Sequence, residues 1–224
     1  KAEIALAQLR AAHADGVPLG DLVLADADYG RSAAFRDGIT ELGLAYAVSV
    51  PASQHVWDAA GVWVAPMTAA AYAGKLSGRS LRRLTWRTGR SGQKLSARFA
   101  FLRVFVTAEG REPDRSRDRT QWLVIEWRDG EPAPGRFYLS TLPARLSKRA
   151  LVRRLKERWR TERMYEDLKG ELGFDHFEGR SWPGWHHHMS VVLSAYALLV
   201  GQRCARFSPG ASRGVRADAL CRAA

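Results

Sequence analysis

Residues 3–14 carry apolar positions at helical spacing, with Ile4, Leu6, Leu9 and Ala12 available to a core. Asp15-Gly16-Val17-Pro18 breaks that helix. Leu22-Val23-Leu24-Ala25 is a short, wholly apolar run, as expected of a strand covered on both faces. Asp26 closes it, Tyr29-Gly30 turns the chain into a helix over about 31–42, and Gly43 stops that helix. Residues 45–50 predict a second buried strand, ended by Pro51. Helix, strand, helix, strand at this density is an α/β layered pattern.

The texture changes over 56–143. Period-two apolar runs at Phe99–Val106, Trp122–Trp127 and Phe137–Leu139 alternate with turns at Gly110, Asp129-Gly130 and Gly135. This predicts an antiparallel β unit, with 109–120 as a solvated, mobile loop. A helical run then extends from Ser147 to Leu172 without proline or glycine before Gly170. Residues 173–184 form a linker, and Trp185 to Val200 predicts an apolar helix buried against the sheet. From Arg203 on, Arg, Ser, Gly and Ala predict a basic, poorly ordered tail.

The long helical run contains a conflict. At about 100° per residue from Leu151, Leu155 falls near +40°, Trp159 near +80°, Tyr165 near −40° and Leu172 near −60°, which is one apolar face. Arg158 falls near −20°, Glu162 near +20° and Lys169 near 0°, in the middle of that face. Buried charges are costly unless paired or bound to metal. One reading is an internal ladder, since Arg158 and Glu162 are four residues apart. The other is a carboxylate aimed into an active-site cleft, with two cations that hold a phosphate or set its pKa.

Asp26 has two readings as well. An Asp after a strand and before a helix is often a cap or turn residue, and Asp28 and Ser32 compete for that role. Yet open α/β sheets place ligands at the carboxyl ends of their strands, where Asp26 lies.

Charge adds a partner class. Lys+Arg 35 against Asp+Glu 23 leaves a net charge of +12, which favours polyanions, nucleic acid first. Arg79, Arg82, Arg83, Arg87, Arg90 and Lys94, interleaved with Trp86, could grip phosphates or form an ordinary solvated basic surface. The two cysteines, Cys204 and Cys221, form no C-x-x-C pair, which argues against zinc-finger and redox motifs and suits a reducing cytoplasm. The apolar run from Met189 to Val200 is too short to span a bilayer. His186, His187 and His188 point in different directions on a helix, so they do not readily share one metal.

Arg158-Trp159-x-x-Glu162 with Lys169, in the pattern R-x3-E-x6-K, resembles the third-carboxylate signature of bacterial insertion-sequence transposases of the DDE type. So do Lys169-Gly170-Glu171-Leu172-Gly173-Phe174-Asp175-His176, Arg180-Ser181-Trp182, Gly184-Trp185 and, near the start, Ala25-Asp26-Ala27-Asp28-Tyr29-Gly30. A tyrosine that these transposases often carry three residues before the arginine is Leu155 here.

The resemblance implies an RNase H-like α/β core at 1–55 and 146–202, incomplete at its start, with an inserted antiparallel β subdomain at 56–145 and the basic tail at 203–224. It implies phosphodiester hydrolysis and strand transfer on double-stranded DNA, both element ends and target. It also implies a homodimer on DNA, no membrane association, and a bacterial cytoplasm near the nucleoid. Two Mg²⁺ ions about 4 Å apart, or Mn²⁺ in their place, would activate the nucleophile and neutralise the phosphate. Asp26 matches the second carboxylate and Glu162 the third, both as metal ligands. Arg158 and Lys169 match the accompanying basic residues, and Tyr29 shapes the turn after Asp26. Glu166, one helical turn past Glu162, competes for the helix carboxylate but does not fit the motif. The first carboxylate has no match: Glu3, Asp15 and Asp21 are the only acidic residues before Asp26. The expectation is therefore a C-terminal part or a decayed copy, able to bind DNA without cutting it. Another RNase H-like nuclease and a non-catalytic DNA-binding protein are the alternatives.

Overall fold

The structure, a computed structural model, describes residues 1–89, 91–107 and 111–206, the last three as backbone only. The described chain forms two compact units, the first Lys1–Glu157 and the second beginning at Arg158.

The first unit opens with α1 (Ala2–Ala14), β1 (Leu22–Ala25), the one-turn α2 (Ala27–Gly30), α3 (Ala33–Glu41) and β2 (Ala45–Val50). The expected helix over 31–42 is α3, and the additional one-turn α2 precedes it because there are two caps. Asp26 accepts from the Asp28 N–H at 3.0 Å and starts α2, while Ser32 accepts from the Phe35 N–H at 3.3 Å and starts α3. Gly30 is required where α2 crosses β2, since a Cβ there would lie 1.9 Å from the Ser49 carbonyl oxygen. In α1 only Leu6 is buried and Ile4 stays exposed, against expectation. A Cβ on Gly38 would meet a Leu6 δ-methyl at 2.5 Å, so this glycine lets α3 approach α1 closely.

The chain continues through β3 (His55–Asp58), β4 (Met67–Thr68), α4 (Ala69–Gly74), β5 (Arg82–Thr88), β6 (Lys94–Phe105), β7 (Gln121–Trp127), β8 (Arg136–Ser140) and α5 (Lys148–Leu155). All eight strands belong to one sheet, ordered β1-β2-β8-β7-β6-β3-β4, with β5 beside β6. Strands β1 and β2 are parallel, and β8 pairs with β2 antiparallel, with Val48 opposite Leu139. The β-rich stretch is thus hydrogen-bonded into the sheet that carries Asp26. The described part of the 109–120 segment is held by its own bonds: Asp118 pairs with Arg111 at 2.9 Å and accepts from the Asp114 N–H at 2.8 Å.

Each face of the sheet has a core. Leu6, Phe35, Ile39, Tyr72 and Ala73 from α1, α3 and α4 cover Val48, Val50, Leu123, Ile125 and Leu139. On the other face Leu151, Val152 and Leu155 of α5 pack with Ala47, Phe99, Trp122, Val124 and Tyr138. Ser147 caps α5 through the Ala150 N–H at 3.2 Å, and Arg154 pairs with Asp21 at 3.1 Å, tying α5 to the start of β1.

The uninterrupted helix expected from 147 to 172 is broken. After Leu155 a 3-10 turn occupies Lys156–Arg158, and α6 follows at Trp159–Leu172. The turn forms where the Lys156 ammonium reaches the buried Glu126 carboxylate of β7. Three residues at about 120° each shift the helical phase by roughly 60°, so the apolar stripe read across the break does not exist. In α6 only Leu168 is fully buried. Gly173, left-handed at φ 67°, ends α6, and α7 runs from Trp182 to Arg206. The burial expected of α7 reaches Val192, while Val191, Leu193, Leu198 and Leu199 are exposed. Of the expected tail, residues 207–224 lie outside the described residues.

Candidate functional site

Asp26 leaves β1 at its carboxyl end, half-buried. One carboxylate oxygen holds the Asp28 N–H, and among the described residues no cation pairs with it. The turn beneath it is rigid. Gly30 lies against Ser49, Arg36 donates to the Gly30 carbonyl, and Tyr29 packs its ring 5.6 Å from Phe35. Tyr29 therefore does shape the turn, through packing. Asp28 is occupied by Arg31 at 3.1 Å and Lys1 at 3.8 Å, which leaves Asp26 as the carboxylate of this turn without a cation.

In the second unit Arg158 and Glu162 come together: the guanidinium donates to the Glu162 carboxylate at 2.8 Å. This pair is not internal. Its side chains are 46% and 59% exposed, and Lys169 is exposed too. The expected buried ladder is thus a surface pair, worth only a few tenths of a kcal/mol, ~0.3–0.5. Glu166 is held by Arg163 at 3.1 Å. His188 has a structural task. Its Nε2 lies 3.0 Å from the Gly173 carbonyl, which can only accept, so this nitrogen carries the proton and ties α7 to the end of α6. His186 packs edge-on against Trp182 and Trp185, at 4.3 and 5.0 Å.

The basic residues of β5 and β6 divide between the two faces. Arg83 is engaged by Asp129, at 3.0 and 2.7 Å, and by Ser96. Arg82 projects to the opposite face and is exposed; Lys94 starts β6 opposite Thr88 and is exposed as well. Arg87 is half-buried, and Arg90 lies outside the described residues.

Sequence reasoning missed two clusters. Glu126 has no exposed surface; it accepts from the Tyr138 hydroxyl at 2.7 Å, from Arg128 at 3.2 Å and from Lys156. Burial pushes its pKa up, but Lys156, Tyr138 and Arg128 together hold it below the usual carboxylate range. The signal was a lone acid in the apolar run Trp122–Trp127. The second cluster is cationic. Lys148 lies 3.4 Å above the Trp122 ring, and Arg103 lies 4.7 Å from the same ring. No local pattern marks it, because its members come together only through strand pairing.

The molecule is thus a mixed α/β protein with a carboxylate presented at the end of a parallel strand and a surplus of positive charge. Residues 1–134 match the family model described as DDE superfamily endonuclease, and the chain belongs to that family. No curated protein matches the chain. The family acts on DNA and generally uses divalent metals. The match takes in Asp26, Tyr29 and the β5–β6 cations and ends before Arg158, Glu162 and Lys169. Among the described residues no group of three or more His, Cys, Asp or Glu is placed to hold a metal ion, and no helix is long and apolar enough to cross a membrane. Asp26 and Glu162 each fit a hard cation as an oxygen donor, one oxygen of each being engaged by a hydrogen bond.

Proposed function

We propose that the chain carries the second and third carboxylates of the DNA transposase of an insertion sequence, whose RNase H-like core cuts and joins phosphodiesters, and that without a match for the first carboxylate it binds DNA but does not cut it alone. The observation that supports this most is Asp26: a half-buried carboxylate at a strand end, fixed by a tight turn and without a cation partner among the described residues. A carboxylate placed there, with no cation of its own, is available to a divalent ion. In this reading Asp26 and Glu162 hold divalent cations, Mg²⁺ or Mn²⁺, which when bound supply an activated oxygen nucleophile and neutralise phosphate charge. Arg158 orients the Glu162 carboxylate. Lys169, one face along α6 and exposed, meets a DNA phosphate. Tyr29 fixes the backbone from which Asp26 projects.

A second reading, a DNA-binding protein without chemistry, is favoured by the cationic cluster around Trp122, which needs no carboxylate. Loss of the free Mn²⁺ signal in electron paramagnetic resonance separates the two. Losing a metal ligand costs at least what losing a supporting group does, roughly tenfold in affinity. Asp26→Asn and Glu162→Gln should each weaken Mn²⁺ binding by that much. If neither does, and duplex DNA still binds, the second reading replaces the first.

A further inference from the structure

Arg82, Arg103 and Lys148 share one face of the sheet. Arg82 on β5 stands opposite Phe99 on β6, Arg103 lies four residues further along β6 opposite Trp122, and Lys148 opens α5 above that same Trp122 ring. Strand rise places Arg103 about 13 Å beyond the Arg82 pair, the axial length of about four base pairs of duplex. Lys148 lies between them, 5.3 Å from the Phe101 ring.

These three charges have no carboxylate partner among the described residues, unlike several other arginines of the chain. Arg10, Arg31, Arg83 and Arg154 are each paired with an acid. Arg103 is anchored by one nitrogen to the Thr120 carbonyl and hydroxyl, and its other terminal nitrogen is buried without a hydrogen-bond partner. Burial lowers the Lys148 pKa, and repulsion from Arg103 and Arg82 lowers it further. The cluster is therefore under charge strain that an anion relieves. Aromatic rings hold Lys148 and Arg103 in place, so little of their side-chain freedom is lost on binding.

We infer that Arg82 and Lys148, with the half-buried Arg103 adding its charge beside them, form a phosphate-binding ridge that tracks one strand of a DNA duplex. The inference rests on the DNA-acting reading above and assigns it a surface. The ridge is sequence-independent, since it offers charge to phosphates and no group fitted to a base edge. Its signature is salt dependence.

The test is anisotropy of a fluorescein-labelled duplex of about 20 base pairs, titrated with the full chain between about 50 and 200 mM NaCl. Arg82→Gln and Lys148→Gln should each flatten the slope of log K against log salt by about 0.9, so that the affinity ratio across this range shrinks about 3.5-fold per cation. Arg10→Gln, on α1, removes the same charge from the other side of the sheet and should leave the slope as it was. Both ridge positions are at the protein surface or in a first helical turn, so the variants fold, and circular dichroism confirms it. Duplex binding with an unchanged slope in Arg82→Gln/Lys148→Gln, or an equal change in Arg10→Gln, overturns the ridge and leaves the DNA reading standing. Absence of duplex binding by the unsubstituted chain overturns both.

Discussion

Replacing Lys156 by Met removes the lysine that reaches the Glu126 carboxylate. That carboxylate has no exposed surface, so it cannot recover water. Tyr138 at 2.7 Å and Arg128 at 3.2 Å remain as donors, but the Arg128 side chain is nearly half exposed and shares its charge with solvent. Breaking a buried pair from one side costs about 3–5 kcal/mol. A ceiling follows from the proton. Glu126 can escape its unpaired charge by protonating, and against an ordinary glutamate pKa of about 4.3 this costs roughly 3.7 kcal/mol at pH 7 and about 1 kcal/mol at pH 5. Lys156 also lies 4.9 Å from the Trp86 ring and 5.1 Å from the Tyr138 ring. Losing those contacts adds about 0.5–1 kcal/mol that does not depend on pH.

The Lys156→Met deficit should therefore be about 4 kcal/mol near pH 7 and shrink to about 1.5–2 kcal/mol near pH 5. The unsubstituted chain behaves in the opposite sense. Its Glu126 has a folded pKa below the unfolded one. The resulting stability is complete above the ordinary glutamate value and is lost only as pH falls through the depressed one. Urea unfolding followed by circular dichroism of the sheet, at both pH values, measures the difference. A deficit under about 1 kcal/mol at neutral pH, or one equal at both pH values, would show that Glu126 is not held as an ion by Lys156.

Two further substitutions probe the candidate site. Gly30→Ala places a methyl 1.9 Å from the Ser49 carbonyl, a backbone atom that cannot move aside; it should cost at least about 1–3 kcal/mol in unfolding free energy and displace the Asp26 turn. A variant with wild-type stability and Mn²⁺ affinity would show that the turn does not need that approach. Arg158→Ala loses only an exposed pair to Glu162. Its melting temperature should stay within the effect of about 0.5 kcal/mol, while duplex affinity and Mn²⁺ affinity fall. Equal affinities would remove Arg158 from the site.

What could be read from residues alone follows the range of the interactions. Leu22–Ala25 and Ala45–Val50 were legible because a strand covered on both faces needs an unbroken apolar run, and Asp26 was legible because a strand end followed by a helix needs a cap. The break at Lys156–Arg158 was not legible. It depends on an acid thirty residues away on β7, and that acid becomes a partner only once β7 lies beneath α5. Without the break the helical wheel put Arg158, Glu162 and Lys169 on a buried stripe; with it they face solvent. Arg82 and Arg83 were indistinguishable as neighbours in a basic run. Strand pairing sends Arg83 to Asp129 and Arg82 to the opposite face beside Phe99.

That separation bears on how the charge surplus should be interpreted. An arginine-rich chain with 35 basic and 23 acidic side chains must leave a dozen cations unneutralised somewhere. Composition alone would scatter them over the surface, where water screens each one cheaply. Three of them instead share one patch of sheet, and the two against a single indole ring are half-buried with their pKa values depressed. Glu126 lies on the same strand and the same face, four residues from Trp122, and shows how this sheet accommodates a buried lysine when only stability is at stake: it supplies a buried carboxylate. Beside Trp122 no such acid is supplied among the described residues. Like charges held together without a counter-charge cost stability, and a fold retains that cost where an external anion offsets it. The placement of the surplus, more than its size, is what points to a phosphate backbone.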